Sequence, residues 1–262
     1  EPSDQPEPWL RAGWRGMCST AGTLLFVVIQ PNSWQSLSQL TSLPRKQVLL
    51  LLGAGAAFFV NFGGFTLSLA NTSVSHAALF ESTASLWMVV GQFLGHRLGK
   101  AAAVPFMQVI GVSCGAIGVA TCFFDAPAES TDAPLPPHPV VGDALGLLAG
   151  LGSCIYLSLG EALRSHLDPA VFYGVVLLQY TIYCYSAAYV FDEVTPTFSA
   201  HPAHGIFGWV HPTGPRLLAQ LWMLCAVDLL GNMGYIAVLK YVPGLTVAVA
   251  MLLSPLIAAI EG

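Results

Sequence analysis

The chain has 262 residues, of which 55% are hydrophobic and 9% charged, and its formal net charge is −5. Soluble domains carry ~25% charged residues, so composition excludes an ordinary water-soluble domain, and with no basic run anywhere it argues against nucleic acid as a partner. Six scattered cysteines without CxxC spacing read as small packing residues, not as a disulfide or zinc framework.

A helix rises ~1.5 Å per residue, so ~20 apolar residues match a ~30 Å hydrocarbon core. After an acidic, proline-containing leader at Glu1–Pro8 comes a short apolar run, Met17–Gln30, read as a partial or short span. Seven longer runs follow: Gln47–Ala70, Ser73–Gly95, Ala101–Phe124, Gly142–Glu161, Pro169–Phe191, Leu217–Leu239 and Val242–Ile260. With the short one, about eight membrane helices are expected. Asp125–Val141 and Asp192–Arg216 are long and acidic, whereas the alternate gaps hold Arg45, Lys46, Arg97, Lys100, Arg164 and Lys240. Positive charge in short loops marks the cytoplasmic side, so the acidic loops face the other way. Arg11 and Arg15 do not fit that rule, because a span at Met17–Gln30 puts them outside.

Helices in lipid approach closely through small residues. Three glycine series at four-residue spacing predict such faces: Gly142, Gly146 and Gly150; Gly91, Gly95 and Gly99; Gly111 and Gly115. Four tyrosines on one run, Tyr180, Tyr183, Tyr185 and Tyr189, read as packing and interfacial-belt residues.

A shift of 170 residues lays Gly64 on Gly234, Leu69 on Leu239, Ala78 on Ala248 and Leu86 on Leu256, with helix, turn and helix in the same order. The stretch Leu67–Leu79, followed by Leu86 and Leu94–Leu98, resembles the EamA-type repeat of the drug/metabolite transporter superfamily. Leu239–Ala248 with Ser254, Pro255, Leu256 and Glu261 looks like a second copy, and Gly142–Ala149 like that copy's opening helix. His96 stands where the first "LGERL" motif of the family has Glu, and Ser85 where a helix-breaking Pro is usual. The resemblance implies an all-α, multi-pass transmembrane bundle of two inverted five-helix repeats, an arrangement recurrent in carriers. The chain then reads as a piece lacking the first and last helices. Its expected divisions are residues 1–46 as N-terminal segment, 47–124 as the remainder of the first repeat, 125–141 as a non-cytoplasmic loop and 142–262 as the second repeat.

A charged side chain at bilayer depth costs at least ~2.5–3.5 kcal/mol. Asp228 sits mid-run with Asn232 one turn on; Glu81 lies mid-run with His76 nearer the outer end; Asn61 lies inside Gln47–Ala70. The resemblance places these five beside a central cavity, as substrate-binding or proton-coupling groups. Packing readings stay open beside that: a protonated acid bonded across helices, asparagines as interhelical glue, a histidine at the headgroups. No catalytic motif, nucleotide loop, cofactor site or metal-ligand spacing is present. The expectation is therefore a secondary transporter of a small solute, not an enzyme, with the lipid bilayer and the solute as partners and a homodimer as an open option. The alternatives are an exchanger of nucleotide-sugars or phosphorylated metabolites, and a non-transporting membrane receptor or scaffold.

Overall fold

The computed structural model describes residues 7–30, 33–99, 104–124, 138–201, 203–210 and 216–251. The Pro-rich loop and the Ser254–Gly262 end of the expected second repeat lie outside them. The described chain is helical: α1 Pro8–Ile29, α2 Ser33–Leu40, α3 Arg45–Asn71, α4 Val74–Glu81, α5 Ala84–Arg97, α6 Phe106–Phe124, α7 Pro139–Leu163, α8 Pro169–Phe191, α9 Arg216–Trp222, a π-helical segment Met223–Asn232, α10 Met233–Val238 and α11 Gly244–Met251. Among the described residues the one extended pairing is an isolated bridge between Thr197 and Gly205.

Among the described residues, six stretches are long and apolar enough to cross a membrane: Pro8–Ile29, Arg45–Asn71, Val74–Arg97, Pro139–Leu163, Pro169–Phe191 and Arg216–Val238. Large apolar side chains such as Leu25, Ile29, Phe106, Met107, Leu218, Trp222 and Leu230 point away from the protein interior. In water such a surface is an aggregation hazard; in lipid it is the ordinary outer face. The protein is an all-α, multi-pass membrane bundle.

Local chemistry sets the helix ends. Pro8 and Pro169 open α1 and α8, where the missing N–H is no loss and φ is already helical. Asp168 caps α8 by accepting the Ala170 N–H at 2.9 Å. At the other end Glu193 adopts φ 54°, a left-handed residue that stops the helix. The first span is longer than the run Met17–Gln30 from which it was expected, because Arg11 and Arg15 lie inside the helix and not before it.

The chain divides into two compact units, Glu1–Phe59 with Tyr156–Val242, and Val60–Ile155 with Pro243–Gly262. Each draws on both halves of the sequence, across the divisions expected above.

In the first unit α1 runs along α8. Gly13 and Gly16 allow the approach: a Cβ at Gly13 would sit 2.6 Å from the Tyr185 ring, and one at Gly16 would sit 2.9 Å from the Tyr180 ring. Phe58 is the hub of an aromatic core, edge-on to Tyr156, Tyr173 and Tyr180 at 5.0, 5.9 and 5.4 Å between centroids. The Trp9 N–H reaches Asp192 Oδ2 at 3.2 Å, tying the start of α1 to the end of α8. Partial burial raises the Asp192 carboxyl above its ordinary range, the Trp9 N–H opposing and Glu7 adding to the shift. The loop after α8 folds onto α1, where Trp14 Nε1 donates to the Gly205 carbonyl at 2.7 Å and Tyr185 donates to that of Ile206 at 3.1 Å. Trp14→Phe keeps most of the ring and deletes this donor; the Gly205 carbonyl keeps the Gly208 N–H at 3.1 Å, so the loss is that of one hydrogen bond, about 0.5–1.5 kcal/mol. Amide exchange across 197–207 is then expected to accelerate about 2- to 10-fold; unchanged exchange would rule out this anchor.

In the second unit the Gly142, Gly146 and Gly150 face of α7 packs tightly, as its spacing predicts. A Cβ at Gly142 would lie 2.8 Å from the Thr72 backbone N, one at Gly146 2.8 Å from the Phe80 Cβ, and one at Gly150 2.9 Å from the Glu81 carbonyl. The other two glycine series make no close contact at Gly91, Gly99, Gly111 or Gly115. Gly91, Gly99 and Gly111 have open space where a Cβ would stand, and at Gly115 the nearest atom is 3.8 Å away. Gly99 instead takes φ 68° and ends the α5 turn.

The predicted run Ser73–Gly95 is broken into α4 and α5 at Ser82 and Thr83, without the proline that usually does this. The Ser82 hydroxyl donates to the Leu79 carbonyl and that of Thr83 to the Phe80 carbonyl, each at 2.6 Å. Hydroxyls thus take carbonyls that the i−4 ladder would have used or left for the next turn, which bends or breaks a helix.

Candidate functional site

Asp228 stands near the middle of the stretch Arg216–Val238, in the segment whose turns are wound wide. The Met233 N–H bonds back to the Asp228 carbonyl, five residues earlier, where an α-helix would use the fourth. Its carboxylate is 1% exposed and collects donors from two other helices of the first unit and from its own segment. Ser19 of α1 donates to Oδ2 at 2.5 Å, Tyr173 of α8 to Oδ1 at 2.8 Å, and Asn232 Nδ2 to Oδ1 at 3.0 Å. Arg15 of α1 completes the set, its Nη2 3.4 Å from Oδ1. Removing two charges from water costs several kcal/mol per ion, offset only by good geometry and further hydrogen bonds; here three neutral donors supply those bonds. Asp228 and Asn232 thus come together as the sequence suggests, while Arg15, Ser19 and Tyr173 are additions that sequence reasoning missed.

Two more polar groupings lie in the second unit. Asn61 Nδ2 donates to Glu81 Oε1 at 3.2 Å and to the Ala149 carbonyl at 3.1 Å, joining α3, α4 and α7. Glu81 is the last residue of α4, so the carboxylate expected at mid-run sits at the helix break. His76 does not join that pair in any hydrogen bond. Its Nδ1 lies 3.3 Å from each oxygen of Asp143, and Thr72 donates to Asp143 Oδ1 at 2.8 Å. Ser73 Oγ caps α4 through the His76 N–H at 3.3 Å and fixes the ring's approach. This arrangement ties α4 to α7 near their amino-terminal ends, where Gly142 lets α7 come close.

Arg15 stands out in the sequence as a cation within a helical turn of an apolar run yet on the wrong side for a cytoplasmic loop, but nothing there ties it to Asp228. Asp143 was hidden as an acid at the start of a helix, where a carboxylate is commonplace. Ser19 and Tyr173 carry no sequence signal of their own. Among the tyrosines expected to pack or to form a belt, Tyr180 is buried in the aromatic core and Tyr189 is exposed. Among the described residues no group of three or more His, Cys, Asp or Glu is placed to hold a metal ion. No family model, curated protein or solved structure gives a significant match to this chain.

Proposed function

We propose that the protein is a secondary carrier that moves a small solute across a membrane by alternating access, without enzymatic chemistry and without ATP. One observation carries the reading: a charged pair, Arg15 and Asp228, buried among hydroxyl and amide donors inside two helices long enough to span lipid. Ionisable residues at such positions are expensive and mark solute or proton pathways far more often than packing. Two broken or rewound helices support it, the Ser82–Thr83 break and the Met223–Asn232 segment, since irregular backbone at membrane depth is characteristic of transporter sites. The resemblance to EamA-type repeats agrees, with Asn61, His76, Glu81, Asp228 and Asn232 as the candidate substrate-binding or proton-coupling residues.

The test is solute uptake by the full chain in sealed vesicles, with and without a pH gradient. If Asp228 or Glu81 couples transport to protons, the gradient accelerates wild-type uptake, and Asp228→Asn or Glu81→Gln reduces that acceleration ~10-fold or more. Equal gradient responses in wild type and both variants would remove proton coupling. Failure of the wild-type chain to move any solute would favour the receptor or scaffold.

A further inference from the structure

No apolar run announces α2, and at 8 residues it is far too short to span a bilayer. Leu37 and Leu40 pack on the cluster of Val27, Ala170 and Val171, which Phe26 and Met233 also join. The helix thus lies across the end of α1 and the start of α8. Gln35, Ser38 and Gln39 are exposed. At ~100° per residue Trp34 stands about 60° round from Leu37, between that apolar stripe and Ser38, and it is 57% exposed. A short amphipathic helix with an aromatic ring on its flank suits the interfacial plane, where one side is apolar and the other wet.

Cations gather at the same end. Arg45 and Lys46 open α3 just after α2. The last described span runs from Arg216 beside Trp14 to Met233 beside Val27, so Lys240, beyond Met233, lies at this end too. The Lys240 ammonium stands 5.8 Å from the centre of the Tyr241 ring, and Tyr241 is 81% exposed. Arg45, Lys46 and Lys240 are exposed, belong to the first unit, and form no ion pair among the described residues. Carboxylates of the turn that leads into α8 are engaged: Glu161 lies 3.9 Å from Arg164, and Asp168 accepts the Ala170 N–H.

We propose that this end of the first unit is a binding rim for anionic phospholipid. Trp34 and Tyr241 sit at headgroup depth, and Arg45, Lys46 and Lys240 hold the lipid's negative charge. Each Lys or Arg at a bilayer surface favours anionic lipid by a factor of ~5. Phosphatidylcholine brings a cation with its phosphate, so cations without counter-charge select a headgroup of net negative charge. A second copy of the chain would bring the same cations and be repelled. Only the membrane fold is needed for this, and it holds whether or not the protein is a carrier.

The full chain is purified in phospholipid-free maltoside, and its unfolding midpoint is followed as phosphatidylglycerol or phosphatidylcholine is added. Phosphatidylglycerol is expected to raise the midpoint with at least ~10-fold higher apparent affinity than phosphatidylcholine. In the triple variant Arg45→Gln, Lys46→Gln, Lys240→Gln that preference falls to about 2-fold or less, and high salt weakens it in wild type. The three side chains are exposed, so the variant keeps the wild-type midpoint when no lipid is present. In vesicles of the two lipids, the emission lost in Trp34→Phe is quenched more by lipid brominated next to the headgroup than by lipid brominated at the chain end. Equal affinity of wild type for the two lipids, or a preference that survives in the triple variant, would overturn the inference. So would a Trp34 quenched by aqueous iodide and by neither brominated lipid, protection by inorganic phosphate at the same affinity, or shielding of Trp34 that grows with formation of a dimer.

Discussion

Asp228→Ala is expected to be the most damaging single substitution in the first unit, at roughly 3–5 kcal/mol. It removes the one acceptor shared by Ser19, Tyr173, Asn232 and Arg15. Three neutral donors lose their partner and the Arg15 guanidinium loses its counter-charge, within helices that sit in lipid. The loss should be sharply non-additive. Arg15→Gln combined with Asp228→Asn removes both charges and keeps hydrogen-bonding groups of similar size, so it is expected to recover at least half of the deficit. Denaturant titration of the folded fraction in micelles reads both values. A double variant no more stable than Asp228→Ala would mean that the pair is not an energetic unit.

Gly142→Val should be the corresponding lesion in the second unit. The atoms that a Cβ would meet there include the backbone N of Thr72 at 2.8 Å and the backbone carbon of Asn71 at 2.9 Å. Backbone cannot rotate aside as a side-chain tip can, so α7 must move bodily. Overpacking of this kind costs typically ~1–3 kcal/mol, and here it also pulls Asp143 away from Thr72 and His76. Gly111→Ala makes the contrast. With nothing within 4 Å of its Cβ position, it gains helix propensity of up to ~1 kcal/mol and should be neutral or mildly stabilising. Thermal midpoints of the two variants in the same detergent check the pair of predictions; similar losses at Gly111 and Gly142 would refute the packing assignment.

Much of this architecture is legible in the residues. Hydrophobic runs place helices reliably when the solvent is lipid, since every backbone group must bond within its own segment, and α8 begins and ends where its run does. Charge is the harder signal. Arg15 interrupts the apolar pattern, so the run reads as starting two residues later, whereas its partner Asp228 lets the helix continue through it. A distant counter-charge of that kind has no local signature. The break at Ser82 and Thr83 is obscure for another reason: hydroxyls also bond back to their own helix at Thr66, Ser113 and Thr181, where the helix runs on. The glycine series show the same limit. Spacing gives a face, but only the neighbour decides whether the face is used, and it is used at Gly142–Gly150 and left open at Gly91 and Gly111.

The wide winding of Met223–Asn232 has a geometric corollary. Tightening one such turn to ordinary α pitch swings everything on its amino-terminal side by about 100° relative to the carboxy-terminal side, the angle of one residue step. A tightening C-terminal to Asp228 would carry its carboxylate off the line joining Ser19 and Tyr173. Ser19 and Tyr173, the two neutral donors from outside the segment, are therefore matched to its wide winding, and an ordinary α-helix there would not present the acid to both.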